Sequence, residues 1–292
     1  MFEGISTALV TPFKADSSID EERLREHVER QIAAGVSGLV PVGTTGESPT
    51  VSHEENIRII AITADQAAGR VPVIAGTGSN STAEAVDMTR KAMDVGANAT
   101  LQVSPYYNKP SQEGLYRHFS KVADEGGLPV IVYNIPGRTG RNIETETLIR
   151  LSAHDMIVAV KEASGNIGQV MDVIRARPDG FDVLAGDDNL ALPIMLLGGD
   201  GVISVASNII PSEMQKMVNL LRSGDVDEAR LLHYHLLPLF KAMFIDTNPI
   251  PVKYVLSYLG YIDEVYRLPM CELSDDNKRV IEGVLDQLDI RA

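Results

Sequence analysis

The sequence has one cysteine, no long apolar run and little positive charge, and each shortage excludes a class of protein. Cys271 is the only cysteine among 292 residues, so no disulfide can form within the chain, which fits a reducing cytoplasm. No segment approaches the roughly 18 apolar residues of a membrane helix. Residues 1–4 lack the basic and apolar regions of a signal peptide. We therefore predict a cytoplasmic protein.

The balance of charge excludes further partners. Lysine and arginine number 26 against 40 aspartates and glutamates, which gives a formal net charge of −14. Such a chain repels nucleic-acid phosphates and anionic membrane surfaces. We predict that it binds neither nucleic acid nor membrane, and that an anionic substrate needs local positive charge.

Motifs for metals and nucleotide cofactors are also missing. There is no His-Glu-x-x-His or paired Cys-x-x-Cys motif, and the segment 76–81 lacks the third glycine of a dinucleotide-binding loop. His233 and His235 lie about 200° apart around a predicted helix, so they cannot share a metal. Asp187 and Asp188 could bind a divalent ion, but Asp188 is predicted to cap the helix that follows.

The sequence does contain a regular alternation of apolar runs and amphipathic helical segments. Eight such units fill about 220 residues, close to the roughly 250 of a typical (β/α)8 barrel. A doubly wound sheet shows the same alternation, but eight evenly spaced units favour closure. The predicted strands are residues 5–11, 38–42, 71–75, 99–103, 129–134, 156–161, 181–185 and 201–204.

After Gly224 the alternation stops, and three helical stretches follow without a strand between them. We predict an α/β fold with two domains, in which residues 1–224 form a (β/α)8 TIM barrel and residues 225–292 a small helical domain. The three predicted helices of the second domain span residues 226–244, 250–259 and 275–288.

Lys161 follows directly on the apolar run 156–160, and a turn follows it at 165–166. Such a run predicts a strand buried on both faces. A lysine at its end is costly to desolvate unless it has a partner or a function. One interpretation is a strand-end lysine whose ammonium reaches water. The other is a Schiff-base lysine, with a pKa lowered by burial so that its amine can attack a carbonyl.

Polar residues at the other strand ends favour the second interpretation when they are taken together. Active sites of TIM barrels lie at the C-terminal ends of the strands. Each of these residues alone also has an ordinary structural explanation, as a strand aromatic, a tight turn or a solvated loop residue. Jointly, a lysine, a tyrosine, hydroxyls and an arginine suit imine chemistry on a keto acid. The strand ends and their loops carry Thr44, Thr45, Tyr106, Tyr107, Tyr133, Arg138, Lys161, Gly186 and Ser204.

Three motifs resemble those of a known family. They are Gly-Thr-Thr-Gly-Glu at 43–47, Tyr-Asn-Ile-Pro-Gly-Arg-Thr at 133–139 and Val-Lys-Glu-Ala at 160–163. All three resemble signatures of the 4-hydroxy-tetrahydrodipicolinate synthase family, long called dihydrodipicolinate synthases, and the resemblance covers essentially the whole chain. The family belongs to the pyruvate-dependent class I aldolases. The lysine motif is shared across that superfamily, whereas the first motif and Arg138 are more specific to the synthases.

The resemblance implies a lyase that condenses pyruvate with L-aspartate 4-semialdehyde, the first committed step of diaminopimelate and L-lysine biosynthesis. It implies that no cofactor or metal is needed and that the protein is a cytoplasmic homotetramer, a dimer of dimers. Lys161 would form the imine with pyruvate. Tyr133 would relay protons with Thr44 and with Tyr107 of the partner subunit.

The resemblance also implies how the two substrates are held. Thr45 would bind the carboxylate of pyruvate, and the backbone of Gly186 and Ile203 would line the pocket. Arg138 would bind the carboxylate of the second substrate, for which its planar guanidinium is well suited.

L-Lysine is implied as an effector at a separate site on the subunit interface. A glutamate there can pair with an ammonium, and an asparagine or tyrosine can donate to a carboxylate. Two positions depart from lysine-sensitive relatives: Asn56 replaces a common histidine and Pro49 a common alanine. We therefore expect weak inhibition. The matching positions are Ser48, His53, Asn80, Glu84 and Tyr106, and Glu84 also predicts a capping box with Ser81.

Two alternatives to the synthase remain at this point. One is another aldolase of the superfamily, such as N-acetylneuraminate lyase or a 2-keto-3-deoxy sugar acid aldolase. Its polyol substrates would want more polar groups at the rim, whereas Arg138 and the paired threonines favour the amino-aldehyde. The other is a non-catalytic barrel that binds a keto acid, against which the intact lysine, tyrosine and threonine set argues.

Overall fold

A closed barrel of eight parallel strands forms the centre of the protein in a computed structural model that describes residues 2–291. The strand order is β2-β1-β8-β7-β6-β5-β4-β3, and a bridge between Leu39 and Val73 joins β2 to β3. The predicted TIM barrel is therefore confirmed, and the doubly wound alternative is wrong. The strands are β1 Gly4–Ala8, β2 Gly38–Val40, β3 Ile74–Gly76, β4 Ala99–Val103, β5 Val130–Asn134, β6 Ile157–Glu162, β7 Asp182–Ala185 and β8 Gly201–Ser204.

Helices surround the barrel and continue beyond it. The sequence predicted neither α5, a single turn, nor the short 3-10 turns Thr44–Gly46, Ser48–Thr50 and Ala206–Asn208. Within residues 2–291, no helix is both long and apolar enough to cross a bilayer. The helices are α1 Glu21–Ala33, α2 His53–Ala67, α3 Thr82–Asp94, α4 Gln112–Gly126, α5 Pro136–Thr139, α6 Thr145–Ser152, α7 Ile167–Ala176, α8 Asp188–Leu196, α9 Pro211–Ser223, α10 Val226–Ala242, α11 Ile250–Tyr258 and α12 Asp275–Gln287.

In two of the strands that are shorter than predicted, a side chain takes the place of a neighbouring strand. The N–H of Val10 donates to Oδ1 of Asn208 at 3.2 Å, so β1 ends at Ala8 and not at residue 11. The N–H of Val73 donates to Oδ1 of Asn98 at 2.8 Å, and β3 begins one residue later. Apolar runs alone do not reveal where such side chains intervene.

Apolar side chains pack in two separate clusters on the two faces of the strands. Alternate residues such as Ile131 and Leu184 fill the barrel interior. Their neighbours Val132 and Val183 pack outward against the helices. Because both faces are buried, the strands are apolar runs without polar alternation, which is why they were recognisable in the sequence.

The last three helices pack on one side of the barrel. α10 contacts α8, α9 and α12, and α11 contacts the turn Ala206–Asn208 that follows β8. This places the start of α11 beside the C-terminal ends of the strands. The division of the chain at residues 224 and 225 stays a prediction.

Candidate active site

Lys161 lies near the C-terminal end of β6, between Tyr133 of β5 and Leu184 of β7 in the register of the sheet. Only 5% of the residue is exposed, so its ammonium does not reach bulk water along the strand end. Its Nζ lies 4.3 Å from the centroid of the Tyr133 ring. Burial among apolar strand neighbours and an aromatic face is an environment that disfavours the charged amine.

Burial lowers the pKa of Lys161 to about 8, because the charged form loses its hydration. The carboxylates of Asp187 and Asp188 oppose this effect, and the guanidinium of Arg138 adds to it. An ordinary lysine is neutral about once in 2,500 molecules at pH 7, whereas a pKa near 8 leaves roughly a tenth of the molecules neutral. The geometry therefore supplies an amine that can attack a carbonyl at neutral pH.

Tyr133 is buried beside Lys161, and its side chain is hydrogen-bonded to that of Thr44. Burial raises the pKa of the Tyr133 phenol, and Asp187 raises it further. Arg138 and the hydrogen bond to Thr44 oppose the shift. The phenol is thus held neutral with its proton in place, next to a second hydroxyl that can accept or donate.

Asn248 connects the two residues expected to bind carboxylates. Its Nδ2 donates to Oγ1 of Thr45 at 2.9 Å, and its carbonyl accepts from Nη2 of Arg138 at 3.2 Å. Asn248 was not predicted from the sequence, because it lies just before α11 and follows no strand. No local pattern signals it, since only the packing of α11 on the barrel brings it to the mouth.

A narrow cavity of about 30 Å³ collects most of the expected residues. Gly186 fits beside the lysine because a Cβ there would lie 2.6 Å from Cβ of Ala163 and 3.2 Å from Cε of Lys161. The wall also includes Asp187, together with Val205, Phe244 and Asn248, which were not expected. The sequence-predicted residues that line this cavity are Thr44, Thr45, Tyr133, Arg138, Lys161 and Gly186.

Ile203 and Tyr107 lie outside this cavity wall. Ile203 is fully buried in the inner cluster of the barrel, and Val205 lines the cavity instead. Tyr107 is 91% exposed in the single chain and has a left-handed backbone, with φ at 71°. A non-glycine residue in that region is strained, and such strain concentrates at functional positions.

Asp188 does not cap the following helix, so that expectation is wrong. α8 begins at Asp188 itself, and its Oδ2 accepts from the N–H groups of Val205 and Ala206 at 3.1 and 2.8 Å. The carboxylate thus binds the loop after β8, and two tertiary donors outcompete the local ones. Among residues 2–291, no three histidine, cysteine or acidic side chains are placed to hold a metal.

A second cavity, of about 200 Å³, collects four of the five residues expected to bind lysine: Ser48, His53, Glu84 and Tyr106. Asn80 is absent from the wall, but its Nδ2 donates to the carbonyl of Tyr106 at 3.1 Å.

Glu84 and Asn56, two polar residues of this second cavity, contact other groups of the protein. Glu84 contacts His53 and accepts from Oγ of Ser79 at 2.7 Å. Ser81 forms no side-chain cap on α3, so the predicted capping box is wrong. Asn56 also lines the cavity. Its Nδ2 donates to the carbonyl of Gly76 at 3.3 Å, and its buried Oδ1 has no partner.

Comparison with known proteins gives one consistent result. A profile described as the dihydrodipicolinate synthetase family matches residues 1–288. A relative named 4-hydroxy-tetrahydrodipicolinate synthase, from Chlorobium phaeobacteroides (strain BS1), is 51% identical over 287 residues, covering 98% of this chain and 96% of the relative.

Two solved structures are similar over nearly their whole length. A chloride-inhibited dihydrodipicolinate synthase from Acinetobacter baumannii, complexed with pyruvate, is 40% identical with a TM-score of 0.97, covering 99% of this chain and 100% of that chain. A dihydrodipicolinate synthase from Cyanidioschyzon merolae with lysine bound is 39% identical with a TM-score of 0.96, covering 99% of each chain.

Proposed function

The chain belongs to the dihydrodipicolinate synthetase family, and we propose that Lys161 is the residue through which it condenses pyruvate with L-aspartate 4-semialdehyde. The reaction gives 4-hydroxy-tetrahydrodipicolinate in the biosynthesis of diaminopimelate and L-lysine, and the protein is a lyase. The observation that carries the proposal is the burial of Lys161 against Tyr133, which lowers the pKa of the amine to about 8.

In the proposed mechanism the neutral amine of Lys161 attacks the keto carbon of pyruvate, and loss of water leaves an imine. Loss of a methyl proton from the imine gives an enamine. The enamine carbon then forms a bond to the aldehyde carbon of the second substrate, whose oxygen takes up a proton. Finally the α-amine of the adduct displaces Lys161, which closes the ring and frees the enzyme. One water is released overall.

Tyr133 and Thr44 serve as the proton relay for these steps. Their hydrogen bond couples a neutral phenol to a second hydroxyl beside the amine. A phenol kept protonated at neutral pH can donate to the departing water and later recover the proton through Thr44. Tyr107 of the partner subunit extends the relay toward solvent.

Thr45 binds the carboxylate of pyruvate, and the backbone of Gly186 lines the same pocket. Oγ1 of Thr45 accepts a hydrogen bond from Asn248, and this bond leaves the proton of the Thr45 hydroxyl free to point toward the cavity. Arg138 is exposed at the mouth, where it can meet the carboxylate of the second substrate while its Nη2 stays on the carbonyl of Asn248. The planar guanidinium suits a two-point contact with a carboxylate.

The assay that tests this function follows formation of 4-hydroxy-tetrahydrodipicolinate from pyruvate and L-aspartate 4-semialdehyde. N-acetylneuraminate and a 2-keto-3-deoxy sugar acid serve as competing substrates. We expect turnover only with the amino-aldehyde. A higher kcat/KM for either sugar acid would assign the chain to another aldolase, and absence of any turnover would leave a keto-acid-binding barrel.

Arg138→Ala is expected to raise KM for the aldehyde by about 10–100-fold, because a charge-assisted contact worth roughly 1.5–3 kcal/mol is lost. Imine formation with pyruvate should survive, which borohydride trapping measures separately. Arg141→Ala is the control, since Arg141 lies three residues further along the chain but not in the cavity wall. Loss of imine formation in Arg138→Ala would place Arg138 with pyruvate instead.

We further propose that the protein acts in the cytoplasm as a homotetramer built from two dimers, and that Tyr107 crosses the subunit boundary within a dimer. The support is the strained and 91% exposed Tyr107, which a second copy would cover.

Mixing inactive Tyr107→Phe with inactive Tyr133→Phe subunits tests that arrangement. About a quarter of wild-type activity should return, because half of randomly reassorted pairs are mixed and each holds one intact site of two. As a control, Tyr107→Phe mixed with the double variant should regain nothing. Equal activity in both mixtures after verified subunit exchange would show that Tyr107 acts within its own chain.

We also propose that L-lysine binds in the second cavity and inhibits weakly. The carboxylate of Glu84 can accept the ammonium, and the lysine-bound relative from Cyanidioschyzon merolae supports the ligand class. Asn56 is neutral and short, so one contact made by a histidine in sensitive relatives is lost. Such a contact contributes about 0.5–1.5 kcal/mol to binding, so its loss weakens the binding of L-lysine roughly 2- to 12-fold.

Calorimetric titration with L-lysine measures its binding in the second cavity. We expect Asn56→His to tighten binding by about the same 2- to 12-fold factor and Glu84→Ala to abolish it. Glu54→Ala, an exposed acidic change on α2, should leave binding unchanged. Wild-type protein that shows neither heat nor inhibition at millimolar lysine would rule out an effector site.

A further inference from the structure

A fully buried ion pair joins the helical region to the loop that carries Thr44 and Thr45. Nζ of Lys253 on α11 lies 2.5 Å from Oε1 of Glu47, and the two side chains are 0% and 1% exposed. No other ion pair found among residues 2–291 has both side chains buried to this degree. Nζ of Lys253 also lies 4.4 Å from the centroid of the Phe13 ring.

Glu47 terminates the turn that carries the two threonines. Its φ is 56°, a left-handed backbone that is strained for a glutamate. The turn Thr44–Gly46 has few backbone bonds of its own, among them Gly46 N–H to the Gly43 carbonyl at 3.0 Å and Glu47 N–H to the Thr44 carbonyl at 3.1 Å. A single 3-10 turn has little stability by itself, so its position depends on tertiary contacts.

Those contacts come from both sides. From the barrel, Oγ1 of Thr11 donates to the Gly46 carbonyl at 2.7 Å. From the helical region, Asn248 donates to Thr45 at the start of α11, and Lys253 binds Glu47 one turn later. The N–H of Arg267 adds a bond to Oε2 of Glu47 at 3.3 Å, so both carboxylate oxygens have a donor. The start of α11 and the two residues before it therefore hold the turn at its middle and at its end.

We propose that the Lys253–Glu47 pair is a positioning device for the imine chemistry, which fixes the Thr44 and Thr45 hydroxyls against Tyr133 and the pyruvate carboxylate. This inference rests on the proposed function of Lys161. A buried ion pair contributes little net stability compared with well-packed neutral residues, so its presence points to a geometric role. Lys253 and Glu47 act through the turn and touch neither substrate nor Lys161.

A variant that removes both the Glu47 and the Lys253 charge separates an effect on the position of the turn from an effect on the stability of the protein. Glu47→Gln or Lys253→Met alone strands one buried charge and should lower both the melting temperature and the activity. The double variant leaves no buried charge, and the amide oxygen introduced by Glu47→Gln would still accept from Arg267. We expect it to regain most of the melting temperature while kcat/KM for pyruvate stays about 10–100-fold below wild type, as for a misplaced reacting group. Borohydride should still trap pyruvate on Lys161.

Lys278→Met is the matched control, because Lys278 on α12 also pairs with a glutamate, Glu264, and also faces a tyrosine ring. It should leave kcat and KM for pyruvate within about twofold of wild type. A double variant with wild-type constants would overturn the proposal. If the double variant does not fold, Glu47→Asp is the variant to measure, because it keeps the negative charge but shortens the side chain. Wild-type kcat and KM for pyruvate in Glu47→Asp would equally overturn the proposal.

Trapping of pyruvate on wild-type protein separates this inference from the function on which it rests. Wild-type protein that forms no borohydride-stable adduct with pyruvate contradicts the proposed function. An adduct on Lys161 in wild type, together with wild-type constants in the double variant, contradicts only the positioning role.

Discussion

Replacing Lys161 with arginine should abolish turnover while the barrel stays folded. The guanidinium remains charged at every accessible pH and cannot attack the keto carbon of pyruvate, so no imine forms. Treatment of wild-type protein with pyruvate and borohydride should leave a stable adduct on the Lys161 peptide, detected by mass spectrometry. Lys161→Arg should give no adduct. Lys278→Arg, a change outside the cavity wall, should keep full turnover.

The dependence of imine formation on pH gives a second readout for the same residue. The reactive amine is the neutral form, so the rate should rise with pH and level off above the pKa of about 8. Below that value the rate should fall about tenfold per pH unit, because the neutral fraction falls by that factor. An adduct on any other lysine, or a profile that is flat between pH 6 and about 9, would reject Lys161 as the nucleophile.

Tyr133→Phe should lower kcat by about 10²–10⁴-fold, the usual effect of losing a general acid–base group. The substitution keeps the ring that lies 4.3 Å from Nζ of Lys161 and removes only the hydroxyl bonded to Thr44. The environment that lowers the lysine pKa is therefore largely retained, and slow trapping of pyruvate by borohydride should still be detectable.

Tyr261→Phe is the matched control for that loss of a hydroxyl. Tyr261 lies outside the cavity, and its ring faces the guanidinium of Arg30, a contact that phenylalanine preserves. The Tyr261→Phe variant should have the same kcat as the wild-type protein. A Tyr133→Phe variant with near wild-type kcat would show that another group, or water, carries the protons.

The barrel and most of its mouth were predictable because their determinants are local. A strand buried on both faces must be an apolar run, and eight such runs leave few architectures. Since all strands are parallel, residues at their C-terminal ends must meet at one rim. That rule alone brings Thr44, Tyr133 and Lys161 together. A lysine after an apolar run is the strongest single signal in the chain.

Predictions that rested on short spacings were less secure. Ser81 and Glu84 have the spacing of a capping box, yet Glu84 binds Ser79 and His53 instead. Asp188 has the position of a helix cap, yet two N–H groups of the loop after β8 hold it. In both cases a tertiary partner competes with the local one, and the sequence near the residue does not report that partner.

The sequence by itself determined the barrel, the rim and the place of Lys161 at that rim, because these follow from burial patterns that recur every few residues. Only the tertiary structure decided that Asn248 and Lys253 belong to the same site. They lie more than 200 positions from Thr45 and Glu47, just before and within α11, whose own apolar pattern indicates only which of its faces are buried. Which polar group a buried side chain meets depends on how distant elements pack, and that pairing leaves no periodic trace in the chain.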